Sequence, residues 1–157
     1  MAAPPPFSID ARGATDVGRR REHNEDAYLV DLELALFVVA DGMGGHAGGG
    51  TASALAVKTI QERIRAARAA SPATFASPKA EDAGHFPSVL RLAVEAACRA
   101  IFGAAQEDPS LAGMGTTVTA ALVVGRTTFL AHVGDSRCYL VRGGRIFQLS
   151  EDHSLVN

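Results

Sequence analysis

The chain has 157 residues, 47% hydrophobic and 20% charged, an ordinary composition for one globular domain able to bury its own core. Lys and Arg number 15 against 17 Asp and Glu, so the formal net charge is −2, and nothing in the charge balance singles out nucleic acid or an anionic membrane as partner. Cys98 and Cys138 form no CxxC pair, which argues against a disulfide framework or a structural zinc site, and no apolar run approaches the roughly 18 residues of a membrane span.

In chain order, residues 1–6 form a Pro/Ala tail, expected to be disordered, and the domain is expected to fill 7–157. The start lacks both a basic n-region and an apolar h-region, so no secretory signal is expected and the cytoplasm is the expected compartment. Segment 7–18 alternates loosely, as a strand does. After the charged turn RRREHNED, AYLVDLE and LALFVVAD read as two strands, the second apolar enough to be buried on both faces. Residues 42–50 hold six glycines among nine positions, a stretch built for close backbone approach. A helix is expected from Thr51, with Ala52, Ala56, Ile60 and Ile64 on one face. Pro72, Pro78, Gly84 and Pro87 predict a loop over 71–87. Ser88 then N-caps a second helix with Leu90, Val94, Ala97, Ile101 and Ala105 on its apolar face, ended by Asp108-Pro109. Four strands follow as two hairpins, turning at Gly125-Arg126 and Gly143-Gly144. Strands and helices that segregate in this way predict an α+β fold with mainly antiparallel pairing.

Three places carry chemistry: Arg21-Glu22-His23-Asn24-Glu25-Asp26, Asp41-Gly42-Met43-Gly44-Gly45 and Gly134-Asp135-Ser136-Arg137. Each sets a carboxylate at a strand end or beside a glycine turn, where oxygen ligands can gather around a hard divalent cation such as Mg²⁺ or Mn²⁺. Asp41, closing an apolar strand, is the most suggestive. Each also has an ordinary reading: a solvated turn for Glu25-Asp26, and Asp-Gly or Gly-Asp turn chemistry for the other two. The weight lies in the three together.

In this order the segments resemble the metal-dependent PP2C (PPM) family of serine/threonine protein phosphatases, its bacterial members most of all. Arg21-x-x-Asn24-Glu25-Asp26 matches RxxNED, Val39-Ala40-Asp41-Gly42-Met43-Gly44-Gly45 matches VADGMGG, Gly115-Thr116-Thr117 matches GTT, and Val133-Gly134-Asp135-Ser136-Arg137 matches VGDSR. Leu149 and Asp152-His153-Ser154 resemble the LTxDHS segment that follows. The resemblance implies the family's β-sandwich of antiparallel sheets flanked by helices. It implies two Mg²⁺ or Mn²⁺ ions, with a third, weaker site. Asp41 would bridge the pair, the Gly42 carbonyl and Glu25 would serve the second ion, Asp26 would sit in or beside the same shell, and Asp135 would serve the third. Arg21 would hold the substrate phosphate, a task its forked guanidinium suits. A metal-activated water would then hydrolyse phosphoserine or phosphothreonine in proteins phosphorylated by a Ser/Thr kinase.

The sequence departs from the family in one respect. The later family motifs that carry two more metal-binding aspartates have no counterpart before Asn157. The chain is therefore expected to be an N-terminal, C-terminally incomplete portion of the domain, inactive or weakly active, with apolar surface left open. A PP2C-like pseudophosphatase or regulatory binding module is the alternative. Gly42-x-Gly44-x-x-Ala47 also fits a dinucleotide pattern, but no second parallel strand follows the helix, so a Rossmann unit is not expected. His46 is read as a solvated loop histidine, His132 as a histidine satisfied within a strand, and Cys98 and Cys138 as small packing residues.

Overall fold

The structure, a computed structural model, describes residues 7–44 and 48–153. The 1–6 tail, Gly45 and His46 of the glycine stretch and Ser154 of the last motif lie outside these residues.

Strands β1 (Asp26–Asp31), β2 (Leu36–Met43), β3 (Gly115–Thr116), β4 (Val118–Val124) and β5 (Thr127–Val133) form one sheet, in the order β1-β2-β4-β5 with β3 paired to the end of β2. Strands β6 (Tyr139–Arg142) and β7 (Arg145–Gln148) form a separate hairpin. Every pairing is antiparallel, which rules out a parallel dinucleotide-binding unit among the described residues. Helices α1 (Gly48–Ala70) and α3 (His85–Glu107) pack on each other and on one face of the sheet, with the short helix α2 (Pro72–Ala76) between them. No described helix is long and apolar enough to cross a membrane.

The core forms where the two periodicities meet. β2 sends Leu36, Val38 and Ala40 inward, and β4 sends Val118, Ala120, Leu122 and Val124. α1 meets them with Ala52, Ala56, Ile60 and Ile64, and α3 with Phe86, Leu90, Ala93 and Ala97. Alanines on both sides let helix and sheet approach closely.

Several expectations need correction. β2 is buried on one face only: Val39 remains 51% exposed, because the helices cover just one side of the sheet. Segment 7–18 joins no ladder. Residues 10–15 instead line a groove along β1 and β2, and the Tyr28 ring occupies the space a side chain at Gly13 would need. Helix α1 already includes Gly48, three residues before Thr51, since Gly48 and Gly49 are buried and packing outweighs their poor propensity. The expected loop 71–87 contains α2, a 3₁₀ turn over Ala80–Gly84 and the start of α3. Ser88 lies inside the first turn of α3, where its hydroxyl donates to the Gly84 carbonyl, so it is not the N-cap. Cys98 is exposed on α3 rather than packed, while Cys138 is half-buried. Both two-residue hairpins occur at the expected turns, and Asp108 closes α3. The outer hairpin keeps Val141 and Ile146 open, at 70% and 66% exposure.

Candidate metal and phosphate site

The register of β1 and β2 sets Asp26 directly across from Asp41 at the open end of the pair. Three backbone and hydroxyl contacts hold Asp41 there. Its N–H donates to Thr117 Oγ1 at 3.0 Å, and its carbonyl accepts from the Thr117 N–H at 2.9 Å and from Thr116 Oγ1 at 2.9 Å. Thr116 and Thr117 come from β3 and the step into β4, so the GTT segment clamps Asp41 by its backbone, not by its carboxylate. Asp26 is steadied by the Asn24 side chain, which accepts from the Asp26 N–H at 3.0 Å while donating to Thr15 at 2.7 Å.

Glu25 lies just behind this pair. Its carbonyl accepts from the Gly42 N–H at 3.1 Å and from Ser53 Oγ at 2.6 Å. A Cβ at Gly42 would stand 2.1 Å from the Gly49 carbonyl oxygen, and one at Gly49 would stand 2.6 Å from Glu25 Oε1. Only glycine allows β2, the N-terminus of α1 and Glu25 to converge so closely. Glu25 Oε1 is buried and finds no hydrogen-bond partner. An orphaned carboxylate oxygen of this kind is what a hard cation or its bound water satisfies.

The electrostatics draw in the remaining residues. Burial pushes the Asp41 carboxyl above its ordinary value, and the charges of Asp26 and Asp135 push it further, opposed by Arg21. Asp26, Asp41, Asp135 and Arg21 therefore share one field, carboxylates repelling one another beside a guanidinium. Arg21 is exposed and lines a shallow cleft with Glu22, His23 and Glu25. The donor set is all oxygen and carries excess negative charge, which fits Mg²⁺ or Mn²⁺. Among the described residues, however, no three Asp, Glu, His or Cys side chains gather closely enough to hold an ion.

Asp135 sits in the loop after β5, where Gly134 takes a φ of +105° and its missing side chain leaves room for Thr117. Arg137 grips Asp152 with three contacts of 2.6, 3.0 and 3.0 Å, tying the third motif to the last. His132 is satisfied within the sheet, as expected, by Thr119 and the Gly134 carbonyl. Sequence reasoning missed the supporting roles of Thr116, Thr117 and Ser53. Ser53 did leave a trace, as a hydroxyl beside the apolar stripe of α1, and it is fully buried.

An antiparallel sheet under two helices, with Asp26 and Asp41 paired at one end, defines an α+β fold. The family model for protein phosphatase 2C matches residues 15–155, and the chain belongs to that family. It is 38% identical over 152 residues to the serine/threonine phosphatase stp of Listeria welshimeri, covering 95% of this chain and 56% of that protein. It is 36% identical over 142 residues to the serine/threonine protein phosphatase PstP of Mycobacterium tuberculosis, covering 90% of this chain and 24% of that one. The crystal structure of the M. tuberculosis phosphatase PstP/Ppp superposes with a TM-score of 0.72 at 36% identity, covering 88% of this chain and 52% of that chain. The PstP catalytic domain in complex with two manganese ions also matches with a TM-score of 0.72, at 35% identity over 88% of this chain and 54% of that one. The chain thus spans about half the length of the stp relative and of these two solved chains.

Proposed function

We propose that this chain supplies the phosphate-holding and part of the metal-holding machinery for hydrolysis of phosphoserine and phosphothreonine in proteins. The observation that carries this is the Asp26–Asp41 pair, mutually repelling at a strand end, with Asp135 and Arg21 in the same field. Asp41 would bridge two Mg²⁺ or Mn²⁺ ions, the Gly42 carbonyl, Glu25 and Asp26 would complete the nearer shell, and Asp135 would serve a third. When bound, such ions make a nucleophilic water available near neutral pH and neutralise phosphoryl oxygens.

The protein's own residues do the rest. Arg21 offers its guanidinium fork to the phosphate of the incoming phosphoserine or phosphothreonine. Asn24 orients Asp26, and Thr116 and Thr117 fix Asp41 by its backbone, so the carboxylates hold their places against mutual repulsion. The partners in this reading are phosphoproteins made by a Ser/Thr kinase, and the compartment is the cytoplasm. Relatives named as serine/threonine phosphatases support it. Since it spans about half the length of its stp relative, the 157-residue chain by itself should bind the ions weakly and turn over slowly.

Mn²⁺ titration followed by amide NMR tests the reading. Paramagnetic broadening should begin at Glu25, Asp26, Asp41, Gly42 and Asp135, and Asp41→Asn should abolish it at the first four. Broadening that starts elsewhere, or that ignores Asp41→Asn, would sink the assignment. Hydrolysis of p-nitrophenyl phosphate with Mn²⁺ should be slow and lost in Arg21→Ala and Asp41→Asn. Fast turnover by the 157-residue chain would overturn the expectation of weak activity.

A further inference from the structure

His132 stands opposite Thr119 across the β4–β5 ladder. Its Nε2 lies 2.9 Å from the Gly134 carbonyl oxygen and its Nδ1 lies 2.9 Å from Thr119 Oγ1. Thr119 Oγ1 is in turn 3.1 Å from the Ser136 carbonyl oxygen. A carbonyl oxygen only accepts, so Nε2 must carry a hydrogen toward Gly134 and the Thr119 hydroxyl must spend its single hydrogen on Ser136. Nδ1 is then left to donate to Thr119 Oγ1. All three contacts coexist only when both ring nitrogens bear hydrogen. A neutral ring leaves one of them as two facing lone pairs.

The charged and titratable groups around the ring fit this count. The Gly134 N–H donates to His153 Nδ1 at 3.3 Å, so His153 accepts there and is the neutral member of the pair. Its ring lies 5.1 Å from that of His132. Asp152, beside them, is held below its ordinary range chiefly by the hydrogen bonds from Arg137. On the β4 side the ring meets the uncharged Thr119.

We propose that His132 is a positioning residue: as an imidazolium it ties the 134–136 loop to β4 and so sets Asp135 relative to Asp41. A second tie runs parallel to it. Thr117 Oγ1, which accepts from the Asp41 N–H at 3.0 Å, is 2.7 Å from Ser136 Oγ. The loop bearing Asp135 is thus fastened at Gly134 and at Ser136, the two neighbours of the carboxylate. The inference rests on the reading of Asp135 as a metal ligand, and His132 acts through the loop rather than on the ion.

The test uses the 157-residue chain. Long-range ¹H–¹⁵N imidazole spectra at neutral pH should show both nitrogens of His132 protonated and His153 neutral with its hydrogen on Nε2. A neutral His132 overturns the proposal. His132→Gln keeps a donor toward Gly134 but removes the charge and the Thr119 contact, and Thr119→Val cuts the same relay without touching the ring. In each, the Asp135 and Ser136 amides should shift, and broadening at Asp135 should require roughly 10-fold more Mn²⁺ while that at Asp41 is unchanged. An unchanged Asp135 titration in both folded variants overturns the proposal. Wild-type chain in which Mn²⁺ broadens neither Asp41 nor Asp135 refutes the metal-site reading instead, and the imidazole spectrum alone then decides the charge of His132.

Discussion

Asp26 and Asp41 face one another across the last rung of the β1–β2 ladder, two carboxylates paired where a sheet would ordinarily place opposite charges or apolar partners. The arrangement costs stability when no cation is present, and that cost is measurable.

Asp41→Asn should raise the melting temperature of the metal-free protein at pH 7. The sign follows from the shift. Folding raises the Asp41 carboxyl above its ordinary 3.8, so the ionised form is disfavoured in the native state. The penalty is absent below that value, develops as pH rises through the folded one, and persists at neutrality. The gain from Asn should therefore vanish near pH 3. Added Mn²⁺ should stabilise the wild type more than the variant. Equal stabilisation of both by Mn²⁺ would refute the role given to Asp41.

Gly42→Ala should damage both fold and site. The new methyl would stand 2.1 Å from the Gly49 carbonyl oxygen and 2.6 Å from that of Glu25, backbone on either side. A cost of about 1–3 kcal/mol in urea unfolding is expected from overpacking. Gly84→Ala, whose Cβ meets nothing within 4 Å, is the matched control and should cost much less. Similar losses at the two positions would show that the convergence at Gly42 is not as tight as described.

Asp31 anchors the β1–β2 turn to α1. Its carboxylate accepts from the Leu34 N–H at 2.9 Å and from the Gln61 amide at 2.7 Å, with Arg65 at 3.4 Å. Burial pushes this carboxyl up, but the bonds from Leu34 and Gln61 and the charge of Arg65 more than reverse it, so it ionises below 3.8. Its contribution is present above that pH and is lost as pH falls through the lower folded value. Asp31→Ala should cost about 1–3 kcal/mol at neutral pH by leaving the Leu34 N–H and the Gln61 amide without their acceptor. The gap between variant and wild type should close in acid, and a gap that stays constant down to pH 2 would contradict the argument.

Ala35 closes the same turn with a φ of +50°, the one positive value outside glycine among the described residues. Its carbonyl accepts from the Val123 N–H at 2.9 Å, which holds it there. Ala35→Gly relieves about 1–2 kcal/mol of left-handed strain and gives back about 0.4–1 kcal/mol through a freer unfolded chain. The expected outcome is a small net stabilisation in thermal melts. Destabilisation would mean that the turn is not strained.

The elements could be read from the chain because their signals are local. β2, β4 and β5, the apolar face of α1, both hairpin turns and the stop at Asp108 each follow from periodicity or turn chemistry within a dozen residues. The starts of the helices could not be read in this way. Gly49 packs against Glu25 and the end of β2 and Gly48 against Met114, and Ser88 lies within α3 because that helix begins at His85. The one-sided burial of β2 depends on which faces the helices reach.

The same division runs through the site. The acidic motifs, their order and the oxygen-rich chemistry they imply were legible in the sequence, since residue type and spacing set them. That Asp26 meets Asp41, that Thr117 clamps Asp41 by its backbone while reaching Ser136, and that the His132 ring meets Thr119 and the Gly134 carbonyl depend on antiparallel register and on a loop folded back over β4. Those contacts join residues up to 76 positions apart. Local propensity carries no information over such separations, so only the packed tertiary structure, in which each buried donor must find an acceptor, decides them.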